Sequence, residues 1–207
     1  MEQLPLDILS PPAADFDNFI PGRNAEALTR VRDLAAGRLR EPIVYLWGER
    51  GCGKTHLLSA AGRVNPALVL ADDVGTLGPE AQQALFIAIN AARDGEPKVL
   101  AAGSDAPAGL ALREDLRTRL AWGLVYHLDP LSDAEKTEYL RSEGLRRGIP
   151  LSAEVIAYVL NHLPRDFASL AAVLDVLDRH ALARQRPLTV PLVRDAIYGP
   201  REAKKQQ

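Results

Sequence analysis

Ile43-Val44-Tyr45-Leu46-Trp47-Gly48-Glu49-Arg50-Gly51-Cys52-Gly53-Lys54-Thr55-His56-Leu57-Leu58 is the stretch that decides the fold. Five apolar residues read as a buried strand, the glycine-rich middle as a turn, and the residues after Gly53 as the start of a helix. The turn fits the pattern G-x-x-x-x-G-K-[ST] in the strand–turn–helix setting that the pattern requires. Gly48, Gly51 and Gly53, with Cys52 between them, let backbone N–H groups close around phosphate oxygens, and the new helix directs its positive end at them. Lys54 is placed to reach the terminal phosphates, and Thr55 to set its hydroxyl on Mg²⁺. A glycine-rich turn that matches by chance is the competing reading, and the flanking strand and helix weigh against it. The stretch predicts a site for a nucleoside di- or triphosphate with Mg²⁺.

Working outward, the chain has 207 residues, of which 47% are hydrophobic and 25% charged, enough for one sizeable core and a small satellite domain. No run approaches the roughly eighteen apolar residues that span a bilayer, and Met1-Glu2-Gln3 does not begin a signal peptide, so a cytoplasmic location without membrane contact is expected. Cys52 is the one cysteine, which excludes an intrachain disulfide and a multi-cysteine metal site. A net charge of -2 supplies no global attraction to nucleic acid.

Residues 1–14, with Pro5, Pro11 and Pro12, read as a flexible leader. Asn24 is a candidate cap for a helix with Ala27, Leu28, Val31, Leu34 and Ala35 at helical spacing, stopped at Gly37. After the glycine-rich loop and its helix, Asn65-Pro66 breaks the chain. Ala67-Leu68-Val69-Leu70-Ala71 then reads as a continuous buried strand ending in Asp72-Asp73. Pro79 opens a helix to about Ala92, Lys98 to Ala102 is a strand, and a short charged helix over Arg113 to Leu120 precedes the strand Leu124 to Leu128. Strands alternating with helices predict a parallel sheet in a three-layer α/β base over 15–130.

From Ser132 the pattern is helical only. Ser132 and Glu135 form a capping box for a helix to about Arg147, ended by Gly148. Ser152 caps a second, with Val155, Ile156, Val159, Leu160 and Leu163 on its apolar stripe. A third runs from about Asp166 to Arg184, burying Phe167, Leu170, Val173, Leu174 and Leu177, and a fourth starts near Thr189 with Pro191 in its first turn. These make a small all-helical lid over 131–200, followed by a polar tail, 201–207.

An α/β base with a phosphate loop and a helical lid resembles the AAA+ nucleotide-binding proteins. Phe16-Asp17-Asn18-Phe19-Ile20-Pro21-Gly22, Gly53-Lys54-Thr55-His56-Leu57-Leu58 and Arg117-Thr118-Arg119-Leu120-Ala121-Trp122-Gly123-Leu124 resemble the DnaA-related members. Trp122-Gly123-Leu124-Val125-Tyr126, Pro130-Leu131-Ser132-Asp133 and Leu188-Thr189-Val190-Pro191 are most similar to the Hda subfamily, the regulatory inactivators of DnaA. The resemblance covers about residues 15 to 198. It implies ADP or ATP as ligand, with Phe19, Ile20 and His56 beside the loop residues as nucleotide contacts. It also implies that one edge strand of the family's sheet, with the initiator-specific insertion that engages DNA, is missing between Lys54 and Asp72. The chain ends after the lid, so direct sequence-specific DNA binding is not expected.

The resemblance assigns further roles. Asp72-Asp73, at the C-terminal end of a strand facing the phosphate crevice, resembles the Walker B pair, with Asp72 toward Mg²⁺ and Asp73 toward attacking water; a turn-forming aspartate pair is the alternative. Ser104-Asp105 resembles the sensor position after the next strand, with Asp105 near the terminal phosphate. Arg119 resembles the arginine finger that enters a neighbouring subunit's nucleotide site, although Arg113, Glu114, Asp115, Arg117 and Arg119 by charge alone read as a solvated helix face. The lid position where the DnaA group has a sensing arginine is Ala168; Arg165, nearly a turn earlier, either substitutes or is a surface arginine beside the cap. Gln3-Leu4-Pro5-Leu6-Asp7 resembles the peptide by which Hda docks on the DNA polymerase sliding clamp, with Gln3, Leu4 and Leu6 as its contacts.

Together these readings predict a negative regulator of replication initiation that stimulates hydrolysis of DnaA-bound ATP through Arg119, with DnaA and the sliding clamp as partners. Self-assembly is left open. Two other readings stand beside it: an autonomous AAA+ ATPase, such as a loader or motor subunit, and a non-catalytic replication adaptor that nucleotide merely stabilises.

Overall fold

The computed structural model describes residues 13–95, 97–163, 167–184 and 188–198. Two compact units divide the chain, one spanning Ala14–Leu131 and the other holding the described residues from Ser132 onward.

In the first unit, four strands, β1 (Ile43–Trp47), β2 (Val69–Ala71), β3 (Val99–Gly103) and β4 (Leu124–His127), form a parallel sheet in the order β2-β3-β1-β4. The central strands are apolar at nearly every position because both faces are covered, as parallel sheets require. Alternate residues of β1 serve different layers. Val44 and Leu46 pack with Leu100 and Ala102 of β3 beneath α1 (Ala25–Ala35) and α2 (Lys54–Val64). Ile43 and Tyr45 pack with Val99 and Ala101 against α3 (Pro79–Arg93) and α4 (Glu114–Leu120). Helices on both faces of a parallel sheet make the expected three-layer base.

Two local readings change. β2 is not a fully buried strand: it pairs with β3 alone, and Leu70 is 40% exposed. An apolar run cannot reveal whether a strand has one neighbour or two. Asn24 occupies the N-cap position of α1, but its side chain makes no cap hydrogen bond. It is buried, and its amide donates to the Asp129 carbonyl at 2.9 Å while its carbonyl oxygen accepts from the Asp129 N–H at 2.8 Å. The residue that would cap the helix instead ties it to the segment following β4, a partner 105 positions away in sequence.

The second unit is helical: α5 (Asp133–Arg146), α6 (Ala153–His162), α7 (Phe167–Arg184) and α8 (Val190–Tyr198). The Ser132–Glu135 capping box is present in both directions, and Ser152 accepts from the Val155 N–H. Leu140, Val155, Ile156, Val159, Leu170, Leu174 and Val193 form the core. At its edge Arg147 bonds Glu143 at 2.7 Å and also binds Asp175, joining the end of α5 to α7. Hydrogen bonds from Arg146 and then Arg147 hold the Glu143 carboxyl down at about 2. No described helix is long and apolar enough to cross a membrane.

Candidate functional site

The C-terminal ends of β1, β2 and β3 meet along one edge of the sheet, where the order β2-β3-β1-β4 makes the chain cross from β1 past β3 to reach β2. Such a crossing point opens a crevice at the strand ends. β1 delivers the glycine-rich loop, β2 delivers Asp72 and Asp73, and β3 delivers Ser104 and Asp105.

The loop is shaped for close backbone approach. Gly51 and Gly53 take φ of 86° and 103°, which side-chain-bearing residues rarely adopt. Packing imposes a second constraint: a Cβ on Gly48 would lie 2.4 Å from the Leu128 carbonyl oxygen, and one on Gly53 would lie 2.6 Å from the Phe19 ring. Cys52 is buried under the loop. Lys54 opens α2 and folds its ammonium onto the Gly48 and Glu49 carbonyls at 2.6 and 2.9 Å. The Thr55 hydroxyl donates to the Asp72 carboxylate at 2.6 Å, across 17 residues of sequence. This bond brings together the two residues that the sequence assigned to Mg²⁺. A hydroxyl, a carboxylate and phosphate oxygens suit Mg²⁺, which keeps few protein ligands.

Asp73 is the one described non-glycine residue with positive φ, 49°. Aspartate tolerates this region better than most residues. Its conformation turns the chain sharply after β2, and Asp72 accepts the Asp73 N–H at 3.0 Å. Ser104 donates to Asp105 at 2.6 Å, in the exposed turn just after β3. Phe19 is buried against the loop and lies 5.6 Å from the His56 ring, and His56 Nε2 is 2.8 Å from the Asp15 carbonyl. Ile20, next to Phe19, is half-buried.

Tyr45 was not anticipated. Its hydroxyl donates to the Asp105 backbone carbonyl at 2.7 Å, and a Cβ on Gly103 would collide with it at 2.3 Å. Burial, with the Asp105 charge, pushes the phenol well above its usual range, so it stays a neutral donor. A tyrosine in the middle of an apolar strand was the available signal, since a buried hydroxyl needs a partner.

Arg119 stands apart from this crevice group, on the last turn of α4. Its guanidinium carbon is 3.9 Å from the Trp122 ring centroid and 5.4 Å from that of Phe86. Among the described residues it has no carboxylate at ion-pair distance, whereas Arg113 on the same helix start is committed to Asp115 at 2.6 Å. Ala168 lies in the first turn of α7. Arg165, Gln3, Leu4 and Leu6 lie outside the described residues, as do the side chain of Phe167 and the tail.

Residues 133–197 match the family model for the Hda lid domain. Over 228 aligned positions the chain is 31% identical to an uncharacterized protein of Haemophilus influenzae, with 95% of this chain and 98% of that protein covered. The helical unit is an Hda-type lid. The fold is that of domain III of the Thermotoga maritima replication initiation protein DnaA (TM-score 0.69, 19% identity, 91% of this chain and 98% of that one). It is also that of AMPPCP-bound DnaA from Aquifex aeolicus (TM-score 0.67, 21% identity, 86% of this chain and 70% of that one). The four-stranded parallel sheet followed by a helical lid is accordingly an AAA+ base and lid.

Proposed function

We propose that this protein is a DnaA-related AAA+ protein that holds ADP or ATP with Mg²⁺ and regulates replication initiation negatively, by stimulating hydrolysis of ATP bound to DnaA. One observation carries the reading: Arg119 is held on aromatic rings with no carboxylate partner among the described residues. A guanidinium whose forked donors are free suits an anion supplied by another molecule.

Within the chain's own site, the N–H groups of the loop from Gly48 to Thr55 embrace the phosphates, and Lys54 exchanges its carbonyl partners for phosphate oxygens. Phe19, Ile20 and His56 line the approach. Thr55 and Asp72 hold Mg²⁺, which when bound neutralises phosphate charge. In this reading Asp73 orients the attacking water and Asp105 contacts the terminal phosphate. Alanine at position 168 offers no side-chain donor of its own, and the nucleotide serves mainly to fix the shape of the base. Arg119 acts in trans, donating to the oxygens that gain charge as the partner's phosphoryl group transfers, an effect worth about 10³–10⁵ in rate where arginine fingers are known. Gln3, Leu4 and Leu6 dock the protein on the sliding clamp, so that stimulation is confined to clamp-loaded DNA.

Turnover measured with the chain alone, and with ATP-loaded DnaA and clamp-loaded DNA, tests the reading. Slow turnover alone and fast phosphate release from DnaA are expected. Rapid turnover alone, unaffected by DnaA, would favour the autonomous ATPase, for which Asp73 at the crevice is the supporting observation. Deleting residues 1–9 should abolish clamp capture with the melting temperature unchanged.

A further inference from the structure

Phe86 and Arg93 are seven residues apart on α3, two turns along one face, and Arg119 and Trp122 are three apart at the end of α4. Packing α3 against α4 interleaves them. Arg113 lies 5.5 Å from the Phe86 ring, Arg119 lies between Phe86 and Trp122 in reach of both, and Arg93 lies 4.5 Å from Trp122. Trp122 is itself anchored by its neighbour: a Cβ on Gly123 would lie 2.4 Å from the Ile43 carbonyl oxygen, so the backbone after the indole is pressed against β1. Trp122 is nevertheless 48% exposed. An exposed tryptophan fixed at its backbone and lying against two arginines calls for an explanation beyond core packing.

Arg113 is held differently from Arg93 and Arg119, each of which lies on an aromatic ring face. Arg113 spends its donors on Asp115 and Gln83. Arg119 is held by ring faces instead. A carboxylate immobilises a guanidinium by consuming its N–H fork, whereas an aromatic face attracts the cation and leaves the in-plane donors free. A long arginine side chain left in solvent must be ordered when it meets a phosphate, and stacking orders it beforehand.

We propose that Trp122, backed by Phe86, is the positioning residue that presents Arg119, stacked and without a carboxylate partner among the described residues, to the triphosphate on a partner protein. This rests on the reading of Arg119 as a trans-acting arginine. Trp122 acts through Arg119 and does not touch the nucleotide, so its loss lowers the rate within the assembled complex and not the assembly itself.

The test is a titration of ATP-loaded DnaA, on clamp-loaded DNA, with wild type, Arg119→Ala, Trp122→Ala and Trp122→Phe. Trp122→Ala is expected to lower the maximal stimulated rate about three- to thirtyfold, the range set by one cation–π contact, with the half-saturating concentration within about twofold of wild type. Trp122→Phe should recover most of the rate. A raised half-saturating concentration at an intact maximal rate would make Trp122 a docking side chain and overturn the proposal. So would an undiminished rate for Trp122→Ala beside an inactive Arg119→Ala. Full stimulation by Arg119→Ala would instead overturn the reading of Arg119. Independently of DnaA, Arg119→Ala in a Trp47→Phe background should change the emission of Trp122, and unchanged emission would show that the stack does not form.

Discussion

Gly48 and Gly53 are held by different neighbours, and alanine at each should fail differently. The obstacle at Gly48 is a backbone carbonyl that cannot move aside, joined to a φ of 150°, so Gly48→Ala should lower the unfolding free energy by about 1–3 kcal/mol in urea titration. At Gly53 the obstacle is the Phe19 ring, but φ of 103° adds its own strain of about 1–2 kcal/mol. Phe19→Ala should therefore relieve only part of the Gly53→Ala defect in a double-mutant cycle. For Asp72→Asn, calorimetric titration with ADP should show the Mg²⁺-dependent part of the affinity lost while the Mg²⁺-free part remains, because the change removes the charge facing Thr55 and leaves the loop intact. Equal loss with and without Mg²⁺ would contradict the metal role given to this pair.

Elements show where local sequence signals suffice. Ser132 and Ser152 cap their helices as read, because the partner lies three residues on and the geometry is local. Asn24 had the same signal, yet its two hydrogen bonds go to Asp129. Tertiary distance defeated the local rule there, as it did for the edge position of β2. Asn24→Ser, a good capping residue that cannot span to Asp129, should cost about as much as Asn24→Ala, roughly 2–3 kcal/mol by thermal or urea unfolding; restoration by serine would mean that capping matters after all. In the lid, Glu143 is held down near 2 by Arg146 and Arg147, below its ordinary value of 4.5. A depressed carboxyl stabilises the fold fully above the ordinary value and loses that contribution as the pH falls through the folded one. Glu143→Gln should destabilise by about 1–2 kcal/mol at neutral pH. The gap to wild type should narrow as the pH is lowered from about 4.5 toward about 2.

On the scale of the whole molecule, the alternation of strands and helices, followed by helices only, made the α/β base and helical lid legible from the chain alone. The phosphate loop carried its own chemistry because glycine, lysine and threonine are needed there at fixed spacing. The bond of Tyr45 to Asp105 and the contact of Phe86 with Arg119 were not legible, since each joins residues distant in sequence through side-chain geometry that no spacing encodes. The regulatory account adds to this fold one claim about chemistry in another molecule. It is tested most directly by phosphate release from ATP-loaded DnaA on clamp-loaded DNA, comparing wild type with Arg119→Ala at matched ADP occupancy. The account predicts stimulation by wild type and a rate within about twofold of the unstimulated background for Arg119→Ala, against an arginine-finger contribution of about 10³ or more. Stimulation by Arg119→Ala equal to that of wild type would contradict it.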